Sequence, residues 1–337
     1  MASFYNLLHA KFFPPSNPAV SFAGKSVLVT GANCGLGFEA ALKFVTLGAK
    51  TVVLACRSPE KGDAAVAEIE KRTGRKGVLR SWKLDLNSYA SVQALAARVV
   101  AELPQIDIAL LNAGVIQPRY RASPEGWEET LQVNVLSTAL LAMLLLPILE
   151  ENQSAAASGN DPAHLCFVSS GNYEFASVQK QAKEATNLIR EFSQPASFAG
   201  AEAQYSVSKL FSMYAANELA GRLVADTQGE GAPVVINSVN PGATATSLTR
   251  NIDSLALKVV AWVYLRLLGR TAEQGSRSLV SACALGQDSH GQYWENDRLP
   301  TRSAIVESVE GKQLQRRVWG EIIDALKSQS STVQGFA

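Results

Sequence analysis

The chain has few of the residues that build metal sites and disulfide frameworks. Its 337 residues contain four cysteines and three histidines. The cysteines are scattered without a C-x-x-C pair, and the histidines lack the spacing of metal ligands. The sequence therefore predicts no metal site and no disulfides, which fits a reducing, cytoplasmic setting. The residues concerned are Cys34, Cys56, Cys166, Cys283, His9, His164 and His290.

The sequence also lacks an excess of one charge, an export signal and a membrane span. There are 31 basic and 30 acidic residues, a net charge of +1, so nothing points to nucleic acid as a partner. Residues 1–18 lack the basic start, continuous apolar core and cleavage site of a signal peptide. The longest apolar run, Val133–Leu149, contains Asn134, Ser137 and Pro147, so we expect a buried core helix rather than a span.

What the chain does have is a regular alternation of apolar, β-branched runs with helical patterns. This alternation predicts one α/β domain over residues 1–337, a doubly wound Rossmann domain whose parallel seven-stranded sheet carries helices on both faces. Within this domain we distinguish an N-terminal arm (1–23), a polar insertion (173–200) and a C-terminal extension (290–337). Strands are predicted at Ser26–Thr30, Thr51–Cys56, Val78–Leu84, Ile106–Leu111, His164–Ser169, Pro233–Val239 and Gln292–Trp294. Helices are predicted at Phe38–Leu47, Pro59–Arg72, Ser88–Leu103, Pro124–Glu150, Gln204–Ala225, Ile252–Leu268, Thr271–Leu285 and Ser308–Lys327.

A glycine-rich turn joins the first predicted strand to the first helix. Residues 30–37 read T-G-A-N-C-G-L-G, a G-x-x-x-G-x-G spacing. Such glycines let the backbone approach a pyrophosphate, and the helix N-terminus favours its negative charge. A tight turn without a ligand is the alternative, which the flanking strand and helix disfavour. The predicted cofactor-binding residues here are Gly31, Asn33, Cys34, Gly35, Leu36 and Gly37.

Arg57 follows the second predicted strand, at the position that chooses the dinucleotide in this kind of fold. An acid there binds the ribose hydroxyl of NAD, whereas an arginine accommodates the 2′-phosphate of NADP. A guanidinium fork suits a phosphate. The sequence therefore favours NADP(H), with an ordinary surface arginine as the alternative.

Tyr205 and Lys209 lie four residues apart, so on a helix they share one face. An ammonium beside a phenol favours the phenolate, so we expect Lys209 to lower the pKa of Tyr205. A tyrosine tuned in this way can pass a proton to or from a substrate oxygen. Alone the spacing is common, and a solvated helix face is the alternative.

Together these features resemble the short-chain dehydrogenase/reductase family over roughly residues 24–285. Further short motifs of that family follow in order at the predicted strand ends. They are Asp85 with Leu86, Asn112-Ala113-Gly114, Asn134 in the long helix, Ser170 after the fifth strand (with Ser169 as the alternative), and Pro241-Gly242 with Thr244 and Thr246. The segments A-N-C-G-L-G, L-A-C-R and L-Q-R-R-V-W resemble sequences of the retinol-dehydrogenase and WW-domain-oxidoreductase subgroup, in the form often seen in fungal secondary metabolism.

The resemblance implies a role for each catalytic residue. Ser170 and Tyr205 bind the substrate oxygen, Tyr205 transfers the proton, Lys209 holds the nicotinamide ribose, and Asn134 supports Lys209 through a water. The remaining motif residues bind the cofactor. The expected activity is that of an NADP(H)-dependent carbonyl reductase or alcohol dehydrogenase. An isomerase, dehydratase or cyclase on the same scaffold, or a cofactor-binding regulatory protein, is the alternative.

The substrate is read less directly. Residues 246–269 correspond to the family's substrate lid, and their apolar character favours a hydrophobic small-molecule ketone or alcohol; packing on the core or a membrane surface is the alternative. Aromatic residues of the insertion are expected at the pocket mouth. They are Tyr173, Phe175, Phe192 and Phe198.

The helix around Leu136–Leu146 resembles the family's dimer-forming helix. A homodimer and a role inside the chain are therefore both open.

Overall fold

The computed structural model describes residues 11–154, 161–226, 231–244 and 269–337. Within these ranges seven strands form one sheet, in the order β3-β2-β1-β4-β5-β6-β7. Every neighbouring pair is parallel, which confirms the predicted doubly wound α/β sheet. The strands are β1 (Ser26–Thr30), β2 (Thr51–Cys56), β3 (Leu79–Lys83), β4 (Ile108–Leu111), β5 (Ala163–Val168), β6 (Val234–Asn240) and β7 (Tyr293–Glu295).

The burial of each strand explains its sequence. The inner strands are buried along nearly their whole length because helices cover both faces of a parallel sheet. Every residue of β6 is buried, for example, including the polar Asn237, Ser238 and Asn240. The edge strand β3 is buried only in part, with Leu79 and Trp82 buried while Arg80 and Lys83 face solvent. The predicted strand bounds agree with the observed ones to within two residues.

Helices cover both faces of the sheet. α1, α2 and α8 pack on one face, α3, α4 and α7 pack on the other, and α10 packs against α7. The helices are α1 (Gly35–Thr46), α2 (Pro59–Thr73), α3 (Tyr89–Glu102), α4 (Glu129–Leu131, Gln132–Ser137 and Thr138–Ser154 in one run), α5 (Gln179–Glu184), α6 (Leu188–Phe192), α7 (Ala201–Asp226), α8 (Ala272–Ala282), α9 (Ala304–Glu307), α10 (Val309–Leu326) and α11 (Ser331–Gln334).

The long helix α4 begins at Glu129, so the predicted start at Pro124 is wrong. Residues 122 and 128 pair in a short antiparallel bridge around a turn in which Gly126 has φ +84°. This turn holds residue 124 outside the helix, and the Glu128 carboxylate then accepts a hydrogen bond from the Leu131 N–H and caps the start. A π-helical segment, Gln132–Ser137, was not anticipated.

α4 belongs to the protein core. It is the one described helix that by length and composition alone could cross a membrane, and 83% of its most apolar window is buried inside the protein. The leucines predicted as dimer-forming are buried within the chain itself, so its own core accounts for their apolar character. Homodimerisation stays a prediction. The buried leucines are Leu136, Leu140, Leu141, Leu145 and Leu146.

The insertion packs against the C-terminal extension. The buried Glu321 carboxylate on α10 accepts hydrogen bonds from the N–H groups of Leu188 (2.6 Å) and Ile189 (3.1 Å), at the start of α6. Arg317 donates to the carbonyls of Ala182 and Ala185. The extension thereby fixes the insertion on the body of the protein. The predicted helix Ile252–Leu268, residues 246–268 of the predicted lid and the predicted site residue Thr246 lie outside the described residues.

Candidate active site

A cleft of about 390 Å³ lies at the carboxyl ends of the strands and includes the ends of β1 and β4, where the strand order reverses. This is where open α/β sheets bind their ligands. Most of the predicted site residues line it together. They are Gly31, Asn33, Cys34, Gly35, Leu36, Arg57, Asp85, Leu86, Asn112, Ala113, Gly114, Ser170, Tyr205, Lys209, Pro241, Gly242 and Thr244.

The glycine turn forms one wall of the cleft. Gly31 and Gly35 have φ of +66° and +60°, a conformation that other residues adopt at a cost. Gly37 lies behind the wall, where a Cβ would come 2.5 Å from Asn112 Nδ2 and 2.6 Å from the Gly31 carbonyl oxygen. Cys34 provides no side-chain cap for α1. The first-turn N–H groups of α1 therefore have no cap from that position, as an anion-binding helix terminus requires.

Asn112 shapes this turn from the neighbouring strand. Its Nδ2 donates to the Thr30 carbonyl (2.8 Å), and the Ala113 N–H donates to Thr30 Oγ1 (2.9 Å). Asn112 also lines the cleft, and its amide nitrogen is bonded to the turn, so it shapes the wall. Its predicted contact with the cofactor stays a prediction.

Arg57 stands at the far end of the cleft, exposed to solvent after β2. In the part of the chain that the structure describes, no carboxylate pairs with it. The nearby Glu60 accepts a hydrogen bond from Ser58 Oγ (2.7 Å). Across the cleft edge, Asp85 Oδ1 accepts from the Asn87 N–H (3.0 Å), which shapes the turn after β3. Ser88 caps α3, so Asp85 is not the helix cap that its position also allowed.

Tyr205 and Lys209 lie side by side on α7 at the other end of the cleft. Both are at least nine-tenths buried, and Lys209 Nζ is 5.6 Å from the centroid of the Tyr205 ring. Lys209 Nζ donates to the Val168 carbonyl at the end of β5 (2.8 Å). The Ser170 side chain lines the same end of the cleft, next to the Tyr205 phenol. Ser170, Tyr205 and Lys209, three of the predicted catalytic residues, therefore lie together.

The expectation that Lys209 lowers the pKa of Tyr205 is wrong for the protein on its own. Burial raises the pKa of Tyr205 to about 12, and the nearby Ser170 hydroxyl opposes this only in part. Burial also lowers the pKa of Lys209 to about 8. The physical reason is desolvation, which disfavours the charged form of both groups. Tyr205 thus keeps its proton across the physiological range.

Asn134 lies behind the cleft wall, in the π-helical segment of α4. Its Oδ1 accepts from the Val115 N–H (2.8 Å), and its Nδ2 donates to the Val115 carbonyl (2.9 Å) and to Ser208 Oγ (3.0 Å). It therefore joins the loop after β4 to α7, beside Tyr205. A Cβ on Gly114 would come 3.2 Å from Asn134 Oδ1 and 3.8 Å from Lys209 Nζ, so the three residues meet closely. The water link to Lys209 stays a prediction.

Comparison with known proteins supplies the family. The sequence profile "short chain dehydrogenase" matches residues 25–171, from the start of the sheet to just past β5. The short-chain dehydrogenase/reductase ffsI of Aspergillus flavipes is 41% identical over 322 residues, 95% of this chain and 91% of its own length. The chain belongs to the short-chain dehydrogenase/reductase family. A second member, phmF of Phaeosphaeria nodorum, is 39% identical over 329 residues, 97% of this chain and 94% of its own length.

The solved structures agree with this membership. A short-chain dehydrogenase from Shigella flexneri, complexed with NADP, is 26% identical and matches with a TM-score of 0.51. The match covers 74% of this chain and 95% of the Shigella chain. This short-chain dehydrogenase/reductase is therefore an oxidoreductase with the family's sheet and cleft.

The aromatic residues of the insertion are not where the sequence placed them. None of the four is among the described residues that line the cleft. Tyr173 and Phe192 are buried in the core, Phe175 is exposed, and Phe198 packs edge-to-face on Tyr120. Asn172, the residue just before the insertion, lines the cleft together with Ser170. The extension packs on the insertion, and of the four aromatic side chains Tyr173 and Phe192 turn inward.

Sequence reasoning missed a buried carboxylate that supports the start of α7. Gln204 Nε2 donates to Glu128 Oε2 (2.8 Å) and to the Phe192 carbonyl (2.9 Å). Gln204 precedes Tyr205, so these bonds tie the catalytic end of the helix to α4 and α6. The adjacency of Gln204 to Tyr205 was the available signal. Nothing local marked Glu128, which is 76 residues away along the chain.

Proposed function

We propose that this protein is an NADP(H)-dependent carbonyl reductase or alcohol dehydrogenase that acts on a hydrophobic small molecule, in secondary metabolism. One observation carries the proposal. A protonated, buried tyrosine, with Ser170 and Lys209 beside it, lies at one end of the same cleft whose other end is a glycine turn with Arg57. That combination supports proton transfer next to a dinucleotide site.

The cradle fits a nicotinamide dinucleotide. Gly31, Gly35 and Gly37 keep Cβ atoms away from the turn, and α1 begins without a side-chain cap. Close backbone approach and an open helix N-terminus are what a pyrophosphate needs. Asp85 and Leu86 would flank the adenosine half. Residues 112–114 and 241–244 would flank the nicotinamide half.

The chain's own residues then handle the substrate oxygen. Tyr205 holds a proton at neutral pH because burial keeps its pKa near 12, so it is ready to donate in the reductive direction. Ser170 offers a second donor to the same oxygen, and fixed donors in a buried site stabilise the developing negative charge. Lys209, when charged, favours the phenolate that forms as the proton leaves. When bound, the reduced nicotinamide supplies the hydride.

Arg57 supports NADP(H) rather than NAD(H). It reaches the cleft without a carboxylate partner among the described residues, and the end of β2 carries no acid to bind a ribose hydroxyl. The Shigella flexneri relative was solved with NADP, which agrees with this choice.

The cleft near Tyr205 supports a largely apolar substrate. Val115, Ile116 and Val133 line this part of the chain's cleft, and Asn172 adds one polar group near Ser170. An apolar wall with few polar groups is typical of small-molecule sites. The walls therefore suit a lipophilic ketone or the matching alcohol.

The test joins cofactor binding to turnover. Fluorescence titration of the protein with NADPH and with NADH should show tighter binding of NADPH. A panel of lipophilic ketones should then oxidise the bound NADPH, followed at its absorbance band. Tight NADPH binding, with no ketone of the panel oxidising NADPH and no matching alcohol reducing NADP⁺, would contradict the reductase and favour non-redox chemistry on this scaffold.

A further inference from the structure

The four residues 241–244, called here the 241–244 loop, follow β6 and line the cleft beside Ser170 and Tyr205. Two charged residues that the sequence did not single out hold this loop, the buried Arg270 and the half-buried Glu295. Neither is among the described residues that line the cleft. Both act on the loop from behind, through separate contacts.

Arg270 is the first anchor, and it is 2% exposed. Its backbone N–H donates to the Ala243 carbonyl (2.8 Å). Its side chain donates through Nη1 to the Pro241 carbonyl (3.3 Å) and through Nη2 to Asn296 Oδ1 (2.5 Å). Gly242 has φ +75°, and a Cβ there would come 2.8 Å from Nη1. The loop backbone is thus folded around the guanidinium, with room for glycine only.

Glu295, at the end of β7, is the second anchor. Its Oε1 accepts from Asn240 Nδ2 (2.6 Å), and Asn240 Oδ1 accepts from the Gly242 N–H (2.9 Å). A carboxylate only accepts, so it forces the amine side of the Asn240 amide toward itself and the carbonyl side toward Gly242. Without that acceptor the amide is free to flip, which would set its NH₂ group against the Gly242 N–H. Glu295 therefore determines which way Asn240 faces.

The charges around Glu295 come from several elements. Burial raises the pKa of Glu295, whereas the hydrogen bond from Asn240 and the charge of Arg298 lower it. Glu174 raises it further and Arg270 lowers it. The charged and the protonated forms of the Glu295 carboxyl both keep an oxygen that can accept from Asn240 Nδ2. The hydrogen bond to Asn240 therefore does not depend on the charge of Glu295.

We propose that Arg270 and Glu295 are positioning residues for the nicotinamide end of the cleft. They act through the backbone of the 241–244 loop and touch neither reactant. The inference rests on the proposed function, since it assigns this loop to the nicotinamide half of the cofactor. It predicts that weakening the anchors reduces the affinity for the whole dinucleotide but spares the adenosine half, which binds at the glycine turn and Arg57.

The experiment compares two ligands on the same variants, NADPH and its adenosine-half fragment 2′,5′-ADP. Glu295→Ala should raise the Kd of NADPH about tenfold or more, because hydrogen bonds to charged groups are worth about 1.5–3 kcal/mol. The Kd of 2′,5′-ADP should change less than about twofold, which also shows that the variant is folded. Glu295→Gln keeps an acceptor oxygen for Asn240 and should restore NADPH binding to within a few-fold of wild type.

Two further variants sharpen the result. Glu174→Gln removes an exposed neighbouring charge and should leave both affinities unchanged. Arg270→Met should act like Glu295→Ala, with 2′,5′-ADP binding as the check on folding. Equal NADPH affinity in Glu295→Ala and wild type would overturn the proposal, as would a parallel loss of both ligands. Failure of the wild type to bind NADPH or NADH would instead overturn the proposed function, so the two failures are distinguishable.

Discussion

Lys209 lies beside Tyr205 but donates its hydrogen bond to the Val168 carbonyl, 2.8 Å away, and not to the phenol. The lysine therefore ties α7 to the end of β5 while its charge stays within reach of the ring. Both side chains are buried, and burial shifts both pKa values toward the neutral forms. The site therefore holds Tyr205, a proton donor that stays protonated, and Lys209, whose positive charge costs free energy to bury.

That cost predicts a stability gain when Lys209 is replaced by methionine. The pKa of Lys209 falls from 10.5 to about 8 on folding. At neutral pH the folded protein therefore holds a charged, desolvated group, and this lowers its free energy of unfolding. Lys209→Met should raise the free energy of unfolding at neutral pH by about 2 kcal/mol, although it abolishes turnover. Denaturant unfolding measures this directly.

The sign of its pH dependence follows from the same shift. Between about pH 8 and 10.5 the unfolded chain still binds the proton that the native lysine has lost, so the stability of the wild type rises with pH. The advantage of Lys209→Met should shrink across that range. The exposed Lys71→Met is the control, with a change within about 0.5 kcal/mol. A Lys209→Met protein less stable than wild type at neutral pH would mean that burial does not oppose the charge.

Arg57→Asp should reverse the dinucleotide preference. The substitution removes the guanidinium that suits a 2′-phosphate and adds an acid that can bind a ribose hydroxyl. We expect the ratio of kcat/KM with NADPH to that with NADH to fall at least about a hundredfold, the two charge effects adding. Lys76→Asp makes the same charge change at an exposed residue outside the described cleft lining, and should leave the ratio unaltered. An unchanged ratio in Arg57→Asp would remove Arg57 from phosphate recognition.

Gly37→Ala should damage cofactor binding although Gly37 does not line the cleft. The added methyl group would lie 2.6 Å from the Gly31 carbonyl oxygen, so the turn backbone must shift. Such overpacking typically costs about 1–3 kcal/mol, and we expect the Kd of NADPH to rise about tenfold or more. Gly221→Ala, in α7 with no neighbouring atom within 4 Å, is the control and should bind as wild type does. Wild-type affinity in Gly37→Ala would show that the turn tolerates displacement.

Much of the sheet follows from the sequence because its strands are short, apolar and bounded by turns. β2 matches its predicted bounds residue for residue, and the ends of β1 to β6 carry side chains predicted for the cleft. Periodicity and turn residues are local, so they can be read locally. The glycine turn and the spacing of Tyr205 and Lys209 are local features of the same kind.

What the sequence did not yield depends on tertiary contacts. The pKa of Tyr205 follows its burial, which its neighbours along the chain do not determine. Arg270 and Glu295 meet partners that lie 26 to 55 residues away. Tyr173 and Phe192 of the insertion turn inward, and α10 anchors that segment through Arg317 and Glu321, an arrangement that hydrophobic pattern alone cannot show.

The proposed role of Tyr205 as the proton donor at a hydride-transfer site is tested most directly by one measurement. Single-turnover oxidation of bound NADPH by an active ketone should be compared in wild type, Tyr205→Phe and Tyr214→Phe. Tyr214 is the matched control, a buried tyrosine on the same helix whose hydroxyl donates to the Ile305 carbonyl (2.7 Å). Tyr205→Phe should bind NADPH as wild type does while its rate falls at least about a hundredfold, and Tyr214→Phe should stay active. A Tyr205→Phe protein that turns over at the wild-type rate would contradict the account.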